Sequence, residues 1–304
     1  MYELVTHLKV NGDMERTHVV GLLGEGITRS LTPPMHREEA RELGIDYEYR
    51  VIDTAHRSSA DAHIDLLWGE ILDEGYDAIN VTHPYKQSII TKLDELSPDA
   101  DRLGAVNLVV FQGQRAVGYN TDWTGFRSAA VAELGSLVGE SVVQLGAGGA
   151  GAATAYAILD LGVTELRIAE RDAQRGQVLA ARLADFFPGA SVTYLPSDDR
   201  DAALAAASGV VHATPTGMDL SPGVSFDVHL LSASAWVAEV VYLPLATELV
   251  RAARARGLRV LDGGRMAVGQ AADSIRIITG REPDPQRMRE HFLTLMHARE
   301  HSDR

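Results

Sequence analysis

Short apolar runs alternate with amphipathic stretches along most of this chain. The runs Ala78–Val81 and Ser141–Leu145 have the length of buried strands, whereas Ala173–Phe186 repeats its apolar positions at helical spacing. Strands that alternate with helices are typical of a parallel sheet flanked by helices. The pattern therefore predicts an α/β fold, and the 304 residues are enough for two domains with separate cores.

The chain begins with a polar extension over residues 1–16. The pattern of the first half after it predicts strands, helices and a hairpin. Turn and cap residues set its boundaries, because proline favours the first turn of a helix and glycine the residue after its end. The predicted elements are a strand over Thr17–Leu23, a helix from an N-cap at Thr32 to Gly44, a strand over Tyr47–Ile52, a helix over Ala60–Asp73, a strand over Ala78–Val81, a helix from Pro84 to Leu96, and a hairpin of Ala105–Phe111 with Arg115–Tyr119.

In the second half of the chain, the hydrophobic pattern predicts a longer series of parallel strands. Helices over Ala150–Leu161 and Ala173–Phe186 separate the first three of them, and the last forty residues form two helices divided at Gly280–Pro283. The predicted strands are Ser141–Leu145, Leu166–Ala169, Ser191–Tyr194, Gly209–Ala213, Trp236–Val241 and Leu258–Leu261.

Charge and composition exclude several classes of function. A net charge of -14 argues against a protein that binds a nucleic-acid backbone. No apolar run approaches the ~18 residues of a membrane span, and the first twenty residues lack the apolar stretch of a secretory signal. The absence of cysteine excludes disulfides and thiolate metal sites, and the histidines show no metal-ligand spacing. We therefore expect a cytoplasmic protein without a metal, a membrane or a nucleic acid as partner.

A glycine-rich loop follows the strand Ser141–Leu145. It contains Gly146, Gly148 and Gly151 in the G-x-G-x-x-G spacing, with Gly149 and Ala150 between them, and an alanine-rich helix comes next. The first glycine permits a tight turn, the second lets the backbone approach a pyrophosphate, and the third allows close packing of helix on strand. This context predicts a dinucleotide site at the helix N-terminus.

Glu170 comes nineteen residues after Gly151, at the end of the next predicted strand. A carboxylate there accepts hydrogen bonds from ribose hydroxyls and repels a 2′-phosphate, which favours NAD. Arg171 and Arg175 lie close in sequence and would instead suit that phosphate, so NADP stays the alternative.

Lys86 is one of three lysines in a chain whose other strongly basic side chains are all arginine. A lysine can lose its proton when it is desolvated and an arginine cannot, so Lys86 is a candidate base. Asp122 follows the predicted hairpin and supplies a carboxylate before the glycine loop. Base, acid and cofactor loop in this order suggest a dehydrogenase that acts on a small alcohol.

Several separated motifs resemble those of the shikimate dehydrogenase family, most closely its quinate/shikimate dehydrogenase branch. Their joint occurrence in one order is far more specific than any single motif. Besides the glycine loop they are Ser30-Leu-Thr32-Pro, Asn80-Val-Thr-x-Pro-x-Lys86, Gly104-Ala-Val-Asn107, Asn120-Thr-Asp122-x-x-Gly-Phe126, Ala213-Thr-Pro-x-Gly-Met218, Val241-Tyr-x-Pro-x-x-Thr247 and Met266-x-x-x-Gln270.

The resemblance implies a substrate domain over residues 17–122, a Rossmann domain over 123–262, and C-terminal helices over 263–304 that return to the substrate domain. The active site would then lie in the cleft between the domains, with Lys86 and Asp122 as the catalytic pair. By the same resemblance the substrate is held by Ser30, Thr32, Thr82, Asn107, Tyr242 and Gln270, and the nicotinamide end of the cofactor is lined by Thr214, Met218, Gly263 and Met266.

Each of these residues also has a purely structural interpretation. Asn107 could end the hairpin, Thr82 could cap the helix from Pro84, and Asp122 could cap the helix through Phe126. Gln270 could lie on a solvated helix face. Tyr242 and Met266 could be core residues, which is the commoner role of both residue types.

The chain departs from the common family pattern at a few positions. Thr32 replaces a serine, Glu170-Arg171-Asp172 replaces the Asn-Arg-Thr that is usual in NADP-dependent members, and Arg265 replaces a glycine beside Met266. His212 and Glu239 replace an asparagine and an aspartate. Thr32 and the acidic loop favour the quinate-using branch.

The sequence thus suggests NAD-dependent, reversible oxidation of shikimate to 3-dehydroshikimate and of quinate to 3-dehydroquinate, by a monomer or homodimer. The alternatives are an NADP-dependent biosynthetic shikimate dehydrogenase, an aminoshikimate or aminoquinate dehydrogenase, and a catalytically silent ligand sensor on the same scaffold.

Overall fold

The N-terminal part of the protein is built on a mixed sheet. A computed structural model describes residues 16–302, so the polar extension predicted over residues 1–16 lies outside the described residues except for its last one. The strands run in the order β2-β1-β3-β5-β6-β4, and β5 is antiparallel to both β3 and β6. The elements are β1 (His18–Gly24), α1 (Thr32–Glu42), β2 (Tyr47–Asp53), α2 (Ile64–Glu74), β3 (Ala78–Val81), β4 (Glu95–Leu96), α3 (Pro98–Leu103), β5 (Leu108–Gln112) and β6 (Arg115–Tyr119).

Two predictions in this part were wrong. No α-helix runs from Pro84 to Leu96; a turn leads instead into a short 3-10 helix over Ser88–Lys92. The backbone beyond it pairs with β6, where the N–H of Asp94 donates to the carbonyl of Ala116, so these groups are not available to a helix. Thr32 is the first residue of α1 and not its N-cap, because Leu31 takes that position without a side-chain hydrogen bond.

The second part is an all-parallel sheet covered by helices on both faces, as predicted. Its strand order, β12-β11-β10-β7-β8-β9, reverses between β7 and β10. In open α/β sheets, ligands bind at the carboxyl ends of the strands at such a reversal. The elements are α4 (Asp122–Leu134), β7 (Ser141–Leu145), α5 (Gly149–Asp160), β8 (Glu165–Ala169), α6 (Ala173–Phe186), β9 (Ser191–Leu195), α7 (Arg200–Ala206), β10 (Gly209–His212), β11 (Trp236–Glu239), α8 (Glu248–Ala255) and β12 (Arg259–Leu261).

The C-terminal helices α9 (Gly263–Thr279) and α10 (Pro285–Ser302) return to the first part of the chain. Ala271 and Ile275 of α9 and Phe292 of α10 share a core cluster with Met35 of α1. The backbones of α4 and α9 also touch, because a Cβ on Gly125 would lie 2.5 Å from the amide nitrogen of Gln270. This close packing brings the start of α4 beside the middle of α9.

Candidate active site

Lys86 and Asp122 form a direct ion pair. Lys86 lies in the loop after β3, and Asp122 is the first residue of α4. The Nζ atom of Lys86 lies 2.6 Å from Oδ2 of Asp122, and their side chains are only 18% and 9% exposed. The main-chain N–H of Val106 donates to the Lys86 carbonyl at 2.8 Å, which ties the Lys86 loop to the residues before β5. Asp122 does not cap α4, whose N-cap is Thr121, so the capping interpretation is wrong.

Asn107 holds the other oxygen of this carboxylate. Its Nδ2 atom donates to Oδ1 of Asp122 at 3.1 Å and to the Thr121 hydroxyl at 2.9 Å. Its Oδ1 atom accepts from the Thr121 N–H at 2.6 Å. The Asn107 side chain therefore has partners for its donor and acceptor groups, and it fixes the orientation of Asp122.

A buried chain of polar side chains continues behind this site. The Thr121 hydroxyl lies 3.1 Å from that of Ser274 on α9, and Ser274 accepts from Nδ2 of Asn80 at 3.2 Å. Tyr49 donates to Oδ1 of Asn80 at 2.9 Å. The sequence-based prediction missed Thr121, Ser274 and Tyr49 as part of the site. The only signal was their polarity at buried positions, and their partners lie far away along the chain.

Ser30 and Tyr242 lie together beside α1. The Ser30 hydroxyl accepts from the N–H of Thr32 at 3.2 Å. Burial raises the pKa of the Tyr242 phenol, and a hydrogen bond with Ser30 opposes that shift. The Tyr242 ring also packs against Phe292, with 6.2 Å between the ring centroids. The structure thus brings two of the predicted substrate residues into contact and places buried Thr32 next to them.

The side chains of Thr82 and Gln270 make fewer contacts with the other predicted site residues. Thr82 has no α-helix to cap, and it packs against β1, where a Cβ on Gly24 would come within 2.4 Å of the Thr82 methyl group. The half-buried Gln270 donates from Nε2 to the carbonyl of Ala267 in its own helix at 3.0 Å. Its backbone joins the polar chain, since its carbonyl accepts from Thr121 at 3.0 Å.

The glycine loop has the shape that a dinucleotide requires. Gly146 has a positive φ of 104°, and a Cβ there would lie 2.5 Å from the Ala213 carbonyl. A Cβ on Gly151 would lie 2.4 Å from the Gly146 carbonyl, whereas one on Gly148 would meet nothing within 4 Å. The helix α5 begins at Gly149 without a side-chain cap, so its first N–H groups are open to an anion. These observations fit the pyrophosphate group of a dinucleotide.

Gln144, which was not among the predicted site residues, holds this loop by hydrogen bonds to its carbonyl groups. Its Nε2 atom donates to the carbonyls of Gly146 at 3.0 Å and Gly151 at 2.7 Å, and Oε1 accepts from Thr154 at 2.9 Å. The side chain is fully buried, and its neighbours in the strand, Val143 and Leu145, are apolar. A glutamine in such a strand was the available signal, because a buried amide needs partners for both of its ends.

Glu170 bends back onto the loop and also binds Arg175. Its Oε2 atom accepts from the N–H of Ala147 at 2.9 Å, and Oε1 accepts from Arg175 at 2.6 Å. Burial by itself raises the pKa of the Glu170 carboxyl, but hydrogen bonds from Ala147, Arg175 and Asp172 outweigh it and hold the pKa below its usual value. Arg171 is exposed at the same edge.

The remaining predicted residues lie around the ends of β10 and β12. Half-buried Thr214 follows β10, and Met218 on the same loop is 42% exposed. Gly263 is the first residue of α9 and packs against the main chain of Val240, since a Cβ on Gly263 would lie 2.4 Å from the Val240 carbonyl. Met266 is 6% exposed and belongs to the hydrophobic core beside α4. Arg265 forms an ion pair with Glu133 of α4 at 2.7 Å.

The two parts of the chain meet at this site. The Lys86 side chain approaches the glycine loop so closely that a Cβ on Gly149 would lie 3.4 Å from its Cδ atom. Over residues 16–302, no group of three or more His, Asp or Glu side chains is placed to hold a metal ion, and no helix is long and apolar enough to cross a membrane.

Comparison with known proteins gives one consistent result. Residues 22–109 match the family model of the shikimate dehydrogenase substrate binding domain. The chain is 49% identical to a shikimate dehydrogenase (NADP(+)) of Pseudarthrobacter chlorophenolicus over 93% of this chain and 97% of that protein. It is 43% identical to a quinate/shikimate dehydrogenase (NAD(+)) of Corynebacterium glutamicum over 93% and 100% of the two chains.

A solved structure extends the similarity to the fold. The quinate dehydrogenase from Corynebacterium glutamicum in complex with NAD superposes with a TM-score of 0.85 at 43% identity, covering 91% of this chain and 99% of that one. The predicted fold class, an α/β substrate domain followed by a Rossmann domain, is thereby confirmed.

Proposed function

The chain belongs to the shikimate dehydrogenase family, and we propose that it is an NAD-dependent member that oxidises both shikimate and quinate. At the coarser level it is an NAD(P)-dependent oxidoreductase that acts on a CH–OH group. The observation that carries the proposal is the ion pair between Lys86 and Asp122, held against the glycine loop. This geometry supports a proton-transfer role for the pair beside the proposed dinucleotide site.

Proton transfer is the task of the ion pair. A bound nicotinamide cofactor would accept a hydride from the carbinol carbon, and the hydroxyl proton must leave the oxygen in the same reaction. In the reverse direction the ammonium group of Lys86 can donate a proton to the carbonyl oxygen. Asp122 holds that ammonium at 2.6 Å, and Asn107 holds Asp122, so the donor keeps one orientation.

Substrate recognition is assigned to the hydroxyl and amide groups around the pair. We assign Ser30, Thr32 and Tyr242 to the substrate carboxylate, because they lie together beside the N-terminus of α1. The ring hydroxyls are assigned to Thr82, Asn107 and Gln270. Neutral groups of this kind strongly reject a substrate that lacks a hydroxyl, because a buried donor or acceptor would then stay unpaired.

The preference for NAD rests on Glu170. Its carboxylate lies against the N–H of Ala147 in the glycine loop and is charged over the physiological range, since its pKa is lowered. A charge there repels a 2′-phosphate and accepts hydrogen bonds from a free ribose hydroxyl. Arg175, the residue that would suit the phosphate, is already bound to Glu170. The solved NAD complex of the Corynebacterium glutamicum quinate dehydrogenase supports the same assignment.

NADP remains the second candidate cofactor, for two reasons. The relative from Pseudarthrobacter chlorophenolicus is named for NADP(+), and Arg171 is exposed beside Glu170. An NADP-dependent biosynthetic shikimate dehydrogenase would use the same catalytic pair, so the cofactor decides between the two.

Steady-state kinetics with shikimate and quinate, each assayed with NAD and with NADP, test the proposal. We expect turnover of both substrates, with a higher kcat/KM for NAD. Preference for NADP with shikimate alone would establish the biosynthetic alternative. Preference for the amino analogues would establish an aminoshikimate or aminoquinate dehydrogenase, and ligand binding without turnover would establish a sensor. The domain boundaries, the monomeric or homodimeric state and the cytoplasmic location stay predictions.

A further inference from the structure

A buried histidine–glutamate pair lies under the loop that follows β10. Nδ1 of His212 lies 2.8 Å from Oε1 of Glu239, and neither side chain is more than 1% exposed. The two residues end the neighbouring strands β10 and β11, where they are directly paired in the sheet. Neither residue has a part in the proton transfer or in the substrate and cofactor contacts proposed above.

The remaining partners of Glu239 determine where the hydrogen atoms lie. Its carboxylate accepts from the N–H of Val241 at 3.0 Å and from the hydroxyl of Thr247 at 3.0 Å. The Thr247 hydroxyl also accepts from the N–H of Val250, so its own hydrogen is available to Glu239. A carboxylate is only an acceptor, so the hydrogen shared with His212 lies on Nδ1. We take His212 in the form whose only ring hydrogen lies on Nδ1, in which Nε2 is an acceptor.

Two hydroxyl groups meet that acceptor. Thr214 Oγ1 lies 2.6 Å and Ser225 Oγ lies 2.7 Å from Nε2 of His212, and the two oxygens are 3.3 Å apart. One hydroxyl donates to the histidine, and the other donates to the first hydroxyl. In both arrangements the hydrogen of Thr214 is used within the network, and the N–H of Thr216 donates to its oxygen at 3.3 Å. Where Ser225 donates to the histidine and Thr214 donates to Ser225, the Thr214 oxygen keeps one lone pair, which can accept from a group outside the network.

Thr214 lies where the network reaches the cleft. It is half-buried, in contrast to His212 and Glu239, and it lies two residues after the end of β10, at the point where the strand order reverses. A Cβ on Gly146 would lie 3.2 Å from the Thr214 methyl group, so the glycine loop is its immediate neighbour. The hydroxyl thus lies at the edge of the proposed dinucleotide site.

We propose that His212 and Glu239 are positioning residues that hold the Thr214 hydroxyl as a hydrogen-bond acceptor for an amide N–H₂ group at the nicotinamide end of the cofactor. The inference rests on the proposed function, since it requires a dinucleotide in the cleft. It adds a part of the molecule that acts on cofactor binding through Thr214 and has no contact with the substrate.

Binding of NADH and of ADP-ribose, which lacks the nicotinamide, tests the inference without an activity assay. In titration calorimetry, Thr214→Val weakens NADH binding about tenfold, the effect of one lost hydrogen bond, and leaves the Kd of ADP-ribose within about twofold. Thr214→Ser keeps the hydroxyl and restores NADH binding. Ser225→Ala is the matched control, because it removes the other hydroxyl from the same nitrogen and leaves the ratio of the two Kd values unchanged.

A double-mutant cycle tests whether His212 acts through Thr214. His212→Phe keeps a flat ring and leaves Glu239 its contacts with Val241 and Thr247, and unchanged ADP-ribose binding shows that the variant is folded. If it acts through Thr214, His212→Phe and the double variant with Thr214→Val each weaken NADH binding about tenfold, whereas independent effects would multiply to about a hundredfold.

Multiplying effects, or equal losses for NADH and ADP-ribose in Thr214→Val, overturn the inference. If His212→Phe does not fold, the binding data of the Thr214 and Ser225 variants decide whether the inference holds. A wild-type protein that binds neither NADH nor NADPH overturns the proposed function and the inference together. If it binds NADPH alone, only the cofactor preference fails, and the same comparison uses NADPH and 2′-phospho-ADP-ribose.

Discussion

The two walls of the cleft are built in different ways. The wall that carries the proposed catalytic pair, here called the catalytic wall, consists of Lys86, Asn107, Thr121 and Asp122, and side-chain hydrogen bonds join residues from separate loops. The glycine wall, residues 146–151, owes its shape to backbone that runs within 2.5 Å of where side chains would lie. The catalytic wall should therefore be sensitive to loss of a functional group, and the glycine wall to gain of an atom.

The largest effect is expected from Lys86→Ala on the catalytic wall. Turnover should fall about 10²–10⁴-fold, the usual contribution of a general acid or base, while NADH binding is retained. Steady-state kinetics and calorimetric titration measure the two quantities. Lys92→Ala is the control, because Lys92 pairs with Asp65 at the surface and should be replaceable without loss of turnover. Near-normal turnover of Lys86→Ala would contradict the proposed role.

Two alanine substitutions separate the functions of the glycine wall. Gly151→Ala should lower the free energy of unfolding by about 1–3 kcal/mol, because its Cβ meets the Gly146 carbonyl. Gly148→Ala meets no protein atom and should leave the unfolding midpoint in urea unchanged. If a pyrophosphate lies there, Gly148→Ala weakens NADH binding about tenfold or more, by an overpacking cost of the same size. Unchanged NADH binding would place the cofactor elsewhere.

Glu170→Ala tests the charged edge of the glycine wall. The ratio of kcat/KM for NAD to that for NADP should fall about tenfold, since a hydrogen bond to a charged group is lost and Arg175 is released. Arg175→Ala is the matched control, and it should preserve or increase the preference for NAD because Glu170 keeps its contact with Ala147. The same ratio in Glu170→Ala and wild type would refute the argument for NAD.

The smallest effect concerns acid sensitivity behind the catalytic wall. His36 packs on Tyr49, which begins the polar chain, and burial lowers its pKa from 6.5 to about 3. Between these values the unfolded chain binds a proton that the folded protein does not, so stability falls as the pH falls.

From pH 7 to pH 6 this group should lower the free energy of unfolding by about 0.7 kcal/mol. Urea unfolding at the two pH values measures the loss, which should be absent from His36→Leu and unchanged in His229→Gln, a substitution of an exposed histidine. An equal loss in His36→Leu and wild type would assign the acid sensitivity to other groups.

Local sequence determined the glycine wall and most of the elements around it. The strand Ser141–Leu145 and the helix Ala173–Phe186 have the predicted bounds, because periodicity and turn residues within a few positions decide them. The glycine spacing works in the same way, since a tight turn and the following helix are local structures. The helix predicted from Pro84 failed at its C-terminal end because the backbone there, from Asp94 onward, pairs with β6, a partner outside the local pattern.

The residue pairs that complete the site depend on contacts between distant parts of the chain and not on the local sequence. Lys86 and Asp122 were proposed from motif order, but only the fold brings Nζ within 2.6 Å of a carboxylate thirty-six residues later. Ser274 reaches the same network from α9 because two glycines let α4 and α9 touch. The sequence by itself determined which residue types are present and where most of the elements begin. The tertiary structure decided their partners, because a hydrogen bond depends on distance in space and not on separation along the chain.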